Sequence, residues 1–154
     1  MRKQVAVFII FSSLLACKKD KLDGEKEILI GKWNWSYTIQ SVNYNCDNYP
    51  PVVTILTPST QGVEFSLEFN KKGCVTFYKN SKKIDKKRIV FTGWYLESPI
   101  YFPGYYRFGI WLNNKSENIF SGWVKSDTLI DQGYFPYRED DGLCISYTNY
   151  FVKE

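Results

Sequence analysis

No histidine occurs among the 154 residues. That removes Ser-His and Cys-His nucleophile pairs and imidazole metal centres together. Carboxylates are what remain for acid–base chemistry. Glu64 and Glu68 share one face of a period-two segment, the face that reads as wet, and Glu139, Asp140 and Asp141 fall in a turn ending at Gly142. Asp131 is different. It shares parity with Leu129 in a short apolar segment, so it either faces a cavity or marks the wet side of that strand. No Gly-rich phosphate loop, calcium-loop spacing or haem attachment motif occurs. The residues point away from an enzyme, and no cofactor or metal is expected.

Sulfur is the other reactive element. Cys46, Cys74 and Cys144 are too far apart for a CxxC redox or zinc unit. Three is an odd number, so one disulfide with a free thiol and three independent buried thiols both remain open. The fourth, Cys17, follows an apolar run in MRKQVAVFIIFSSLLACKKD. Arg2 and Lys3 precede that run, and Val5 to Leu15 supply eleven residues broken only by Ser12 and Ser13. At about 1.5 Å per helical residue this reaches little more than half of a roughly 30 Å hydrocarbon core. A signal-peptide core has that length.

Leu14-Leu15-Ala16-Cys17 resembles the lipobox of bacterial lipoproteins. The resemblance implies cleavage before Cys17, with Leu14 at the −3 position, Ala16 as the small −1 residue and Cys17 carrying the lipid. Residues 1–16 would then be a signal peptide, and 17–27, rich in Lys and Asp, a lipidated N-terminus and flexible tether. The implied partner is a membrane, held through Cys17, and the implied place is the bacterial cell envelope. Because Lys18-Lys19-Asp20-Lys21 is largely basic, while surface-export tags of such lipoproteins are acidic, the expected anchor is an outer membrane, facing the periplasm.

Removing residues 1–16 leaves a chain long enough for one domain with a real core. The formal charge of +4 loses Arg2 and Lys3 and becomes mild, which argues against a nucleic-acid partner. The densest basic cluster, Lys82 to Arg88, reads as a solvated turn between two strand-like segments.

Over 28–154 the organising signal is a period of two. Trp33, Trp35, Tyr37 and Ile39 alternate with polar residues, as do Val63, Phe65, Leu67 and Phe69. Further strands are predicted over 74–78, 88–97, 105–112, 118–124, 128–132 and 142–152, with turn residues between them. Eight short strands make an all-β domain, and an eight-stranded antiparallel barrel closes without exposed edges. Aromatic residues are 18% of the chain. That fits either a filled aromatic core or a calyx lined by Trp35, Tyr37, Phe65, Phe91, Tyr95, Phe108 and Tyr147.

Gly31-Lys32-Trp33 after Leu29-Ile30 resembles the G-x-W motif that opens lipocalin-like domains, and the lipobox, tether and strand count fit a lipocalin-like group among lipoproteins of Bacteroidota. The resemblance implies that Trp33 packs across the closed barrel end against a basic residue of the last strand, here Lys153 where arginine is usual. It also implies a carrier of a small hydrophobic ligand. The segment 41–61 departs from a tight lipocalin plan; it reads as a lid or a docking edge. Loops 99–104 and 133–138 also bear aromatics and prolines, and they serve as plugs if they pack over the barrel end. A second function class follows: an anchored module with a filled core that binds an envelope protein or glycan through such loops.

Overall fold

The computed structural model describes residues 21–42, 51–97, 103–113, 115–136 and 145–154. Cys17, Cys46 and Cys144 lie outside them, as do the predicted signal peptide and positions 99–102 of the predicted loop 99–104. Among the described residues nine antiparallel strands follow a short 3-10 helix, Gly24–Leu29. They are β1 (Gly31–Val42), β2 (Val52–Leu56), β3 (Phe65–Asn70), β4 (Cys74–Lys79), β5 (Lys82–Leu96), β6 (Tyr106–Leu112), β7 (Lys115–Lys125), β8 (Thr128–Asp131) and β9 (Ile145–Lys153). A one-turn helix α1, Pro58–Gln61, joins β2 to β3.

β1 and β3 to β9 form an eight-stranded closed barrel, sealed by β1 against β9 from Trp33↔Lys153 to Val42↔Ile145. β2 is the added strand. β1 pairs with β3 over Gly31–Asn34 and with β2 over Thr38–Val42, so one long strand changes partner halfway. The predicted loop 41–61 thus contains a strand and a helical turn. Prolines 50 and 51 precede β2 without interrupting it, because a proline just before a strand removes no ladder bond. Thr57 caps α1 reciprocally with Thr60, Pro58 takes the first turn and Gly62 ends it at φ 61°. Val52, Val53 and Ile55 of β2 are more than half exposed.

The Lys82 to Arg88 cluster is not a turn. It is the first half of β5, and the reversal is made by Asn80 and Ser81, both at positive φ. A mainly outward-facing strand half accommodates lysines as readily as a turn does, so composition alone does not separate the two.

One barrel end is closed by the 3-10 helix. Leu22 and Leu29 are buried there with Trp33. Trp33 Nε1 donates to the Leu29 carbonyl at 2.8 Å, Lys153 Nζ donates to that of Ile28 at 2.9 Å, and the ammonium stands 5.1 Å from the centre of the Trp33 ring. Gly31 is required at φ 125°, since a Cβ there would stand 3.0 Å from Lys153 Cε.

Candidate functional site

The barrel interior is where a calyx would be, and side chains fill it. Trp35, Phe69, Phe77, Phe108, Phe120 and Phe151 are buried in one continuous cluster. Their inward orientation follows from strand parity: Phe108, Ile110 and Leu112 on β6, Phe69 and Leu67 on β3.

The segment after β8 completes the filling. β8 stops at Asp131, and the chain turns inward and adds Phe135 to the buried cluster. The Phe135 ring meets Phe77 edge-on at 4.9 Å and Phe65 at 5.3 Å, and stacks over Phe151 at 6.4 Å. Tyr134 lies edge-on to Phe120 at 5.7 Å and receives a hydrogen bond on its hydroxyl from Lys87 Nζ at 3.0 Å. That bond, outweighing burial, raises the lysine above its ordinary value. Of the loop 133–138, residues 133–136 are described, and they are a plug.

Asp131 holds the plug in place. Its Oδ2 accepts from the backbone N–H groups of Tyr134 and Phe135 at 2.8 and 2.9 Å and from Asn149 Nδ2 at 2.9 Å. Asn149 Oδ1 accepts from the Thr38 hydroxyl at 2.6 Å, and Trp35 Nε1 donates to that hydroxyl at 2.9 Å. Thr38, Asn149 and Asp131 have no exposed surface. Asp131 Oδ1 is buried without a partner among the described residues. Burial pushes the carboxyl up to about 7, against the lowering effect of the Phe135 N–H, Asn149 and the Tyr134 N–H. The inward orientation of Asp131 is one of its two sequence readings. Its partner Asn149 shares parity with Tyr147 and Phe151, which is the signal that locates it.

Two residues assigned to the lining lie elsewhere. β-bulges break the register of β1 between Trp35 and Tyr37 and that of β5 between Phe91 and Gly93. One extra residue reverses every later side chain. Thr38 therefore points inward where Tyr37 was expected, and Trp94 where Tyr95 was expected. Tyr37 stacks on Tyr150 at 4.3 Å on the outer face, and Tyr95 is 49% exposed. They end one cross-strand row on the outside, Tyr95–Arg107–Trp123–Ile130–Tyr150–Tyr37. Arg107 stands 5.9 Å from the Tyr95 ring and 5.7 Å from that of Trp123. The other five lining residues keep the inward side. Trp35 and Phe108 are core, Phe65 touches the plug, Phe91 packs edge-on to Trp94 beneath Lys26, and Tyr147 accepts from Gln40 Nε2 at 3.1 Å.

Cys74 opens β4 as a free, half-buried thiol. Among the described residues no three Cys, Asp or Glu side chains gather as a metal site. Glu64 and Glu68 are exposed on β3's outer side, and Glu68 accepts from the Tyr78 hydroxyl at 2.7 Å. Among the described residues the one strongly perturbed carboxyl, that of Asp131, is fully buried. No family model matches the chain, and neither a curated protein nor a solved structure matches it. The architecture itself, an antiparallel eight-stranded closed barrel with a 3-10 helix across one end, is lipocalin-like.

Proposed function

We propose that the chain is a lipid-anchored interaction module of the bacterial cell envelope, a filled lipocalin-like barrel that engages a protein or glycan with its outer surface. The observation that carries this reading is the position of Phe135. Its ring packs among Phe65, Phe77 and Phe151 on the inner side of the barrel, in space that a carried ligand would need. A carrier needs interior volume for the apolar surface of its cargo, and this interior is occupied by the protein's own side chains. Anchoring at Cys17 rests on the lipobox resemblance and the basic, polar tether. Two or more acyl chains on one cysteine hold a domain stably at a membrane, whereas one chain binds reversibly.

Native mass spectrometry tests the filled-barrel part. Residues 17–154 carrying Cys17→Ser, exported to the periplasm of the natural host and purified without detergent, are expected to fly at the mass of the polypeptide alone. A small molecule retained at one per chain and lost on denaturation overturns the reading in favour of a carrier. Fractionation tests the anchor. The native chain is expected to incorporate labelled palmitate and sediment with membranes, and Cys17→Ser to do neither.

A further inference from the structure

β2 stands at the end of a strand order that otherwise closes on itself. One of its edges pairs with β1, from Thr38↔Leu56 to Val42↔Val52, without a bulge. The other edge carries no ladder among the described residues. We propose that this edge pairs with the same edge of a second copy of the chain, antiparallel and centred on Thr54. Two barrels are then joined by one bridge, in which β1 and β2 continue into the second copy's β2 and β1. The edge lies outside the barrel interior, so the inference goes beyond the filled-barrel reading and does not depend on it.

The strand is unguarded. Edge strands ordinarily carry lysines, prolines or bulges that discourage further pairing. β2 reads Val52-Val53-Thr54-Ile55-Leu56 and has none of the three. Val52, Val53 and Ile55 are 53, 57 and 60% exposed, three of the seven large hydrophobic side chains left exposed among the described residues. Single exposed aliphatics are ordinary. Three on one five-residue strand, beside unpaired backbone, make a patch that a partner would cover.

Self-complementarity names that partner. A two-fold axis through an antiparallel pair must sit on a residue, because successive pairs alternate between hydrogen-bonded and non-hydrogen-bonded. With the axis on Thr54, Val53 meets the second copy's Ile55, Val52 meets its Leu56, and Thr54 meets its own counterpart. Thr–Thr pairs and β-branched side chains suit such positions. Moving the axis to Val53 would set Pro51 against Ile55, and moving it to Ile55 would set Pro58 against Val52. Proline lacks the N–H that a ladder needs. Thr54 is therefore the centre that uses the whole strand.

The surroundings agree with a like-on-like contact. No charged residue occurs from Val52 to Gly62, nor along Thr38 to Val42 of β1, so two copies meet here without like charges opposed. On the outer side Ile39 and Ile55 are already register partners, and the second copy's Val53 extends that apolar row. Size sets the strength. A five-residue ladder is small beside the roughly 1,200–2,000 Å² buried by stable interfaces, so the dimer is weak and concentration-dependent.

The test is sedimentation equilibrium of residues 17–154 carrying Cys17→Ser. Reducing buffer keeps disulfides from linking copies, and the concentration runs from about 10 µM to about 1 mM. A reversible monomer–dimer equilibrium is expected. Val53→Lys is expected to weaken it by about tenfold or more, because it sets an ammonium against the second copy's Ile55. Adding Ile55→Glu to that variant is expected to restore the dimer, since the register places positions 53 and 55 of the two copies opposite each other. Leu96→Lys, at a site 61% exposed on β5, is the comparison and is expected to leave the equilibrium unchanged. Every variant is expected to keep the melting transition. The inference is overturned if the chain stays monomeric throughout, if Val53→Lys leaves the dimer intact, or if Ile55→Glu does not restore it. A monomer whose amides 52–56 shift with a neutral valine- and threonine-rich octapeptide of unrelated sequence overturns it in favour of a different protein on the same edge.

Discussion

Asp131 holds Phe135 inside the barrel: the carboxylate accepts the Phe135 backbone N–H at 2.9 Å, tying the end of a strand to a core ring four positions further along the chain. The same oxygen also takes the Tyr134 N–H and the Asn149 amide. This arrangement resolves an otherwise awkward feature, a carboxyl with no exposed surface in an aromatic interior. Its purpose is to satisfy the backbone of a segment that has left the sheet, whose N–H groups would otherwise be buried without partners.

A pH dependence follows. Burial raises the folded carboxyl to about 7, while the unfolded one titrates near about 4. Between those values the folded state holds the proton more tightly, so stability falls as pH rises through the window, by up to about 1.4 kcal/mol per unit. The contribution is fully favourable below the unfolded value and is lost by about pH 7. Urea unfolding of the native chain and of Asp131→Asn, at intervals from pH 4 to 8, is the measurement. The variant is expected to keep the hydrogen bonds through its amide oxygen and to lose this part of the slope.

Strand parity carried the sequence reading as far as the first irregularity on each strand. Trp33, Trp35, Leu67, Phe69 and Phe108 are inside as alternation requires. Tyr37 and Tyr95 are outside because bulges precede them, and Ser36 and Thr92 are ordinary strand residues that announce nothing. β2 was hidden behind Pro50-Pro51, and α1 was spelled by Thr57-Pro58-Ser59-Thr60-Gln61-Gly62, a cap-to-cap signal only one turn long. The exchange of β3 for β2 along β1 has no sequence signature at all, being a tertiary event between segments whose own patterns are unaffected.

Phe135→Ala tests the plug energetically. Truncating a core phenylalanine costs about 3–5 kcal/mol, and this ring touches Phe65, Phe77 and Phe151. The variant is expected to lose about that much stability by urea unfolding and to bind a solvatochromic dye that the native chain is expected to leave unbound. Tyr95→Ala, at a site 49% exposed, is expected to change stability by no more than about 0.5 kcal/mol. Equal losses at the two positions would show that Phe135 is not core.

Trp33 and Lys153 should be energetically coupled. They are register partners, the ammonium lies 5.1 Å from the indole centre, and both side chains donate to carbonyls of the 3-10 helix. A double-mutant cycle with Trp33→Leu and Lys153→Met is expected to return a coupling of about 0.5–2 kcal/mol. Gly31→Ala is expected to destabilise the native chain because its φ is positive and its Cβ meets Lys153 Cε. A coupling near zero would mean that the two residues close the barrel end independently.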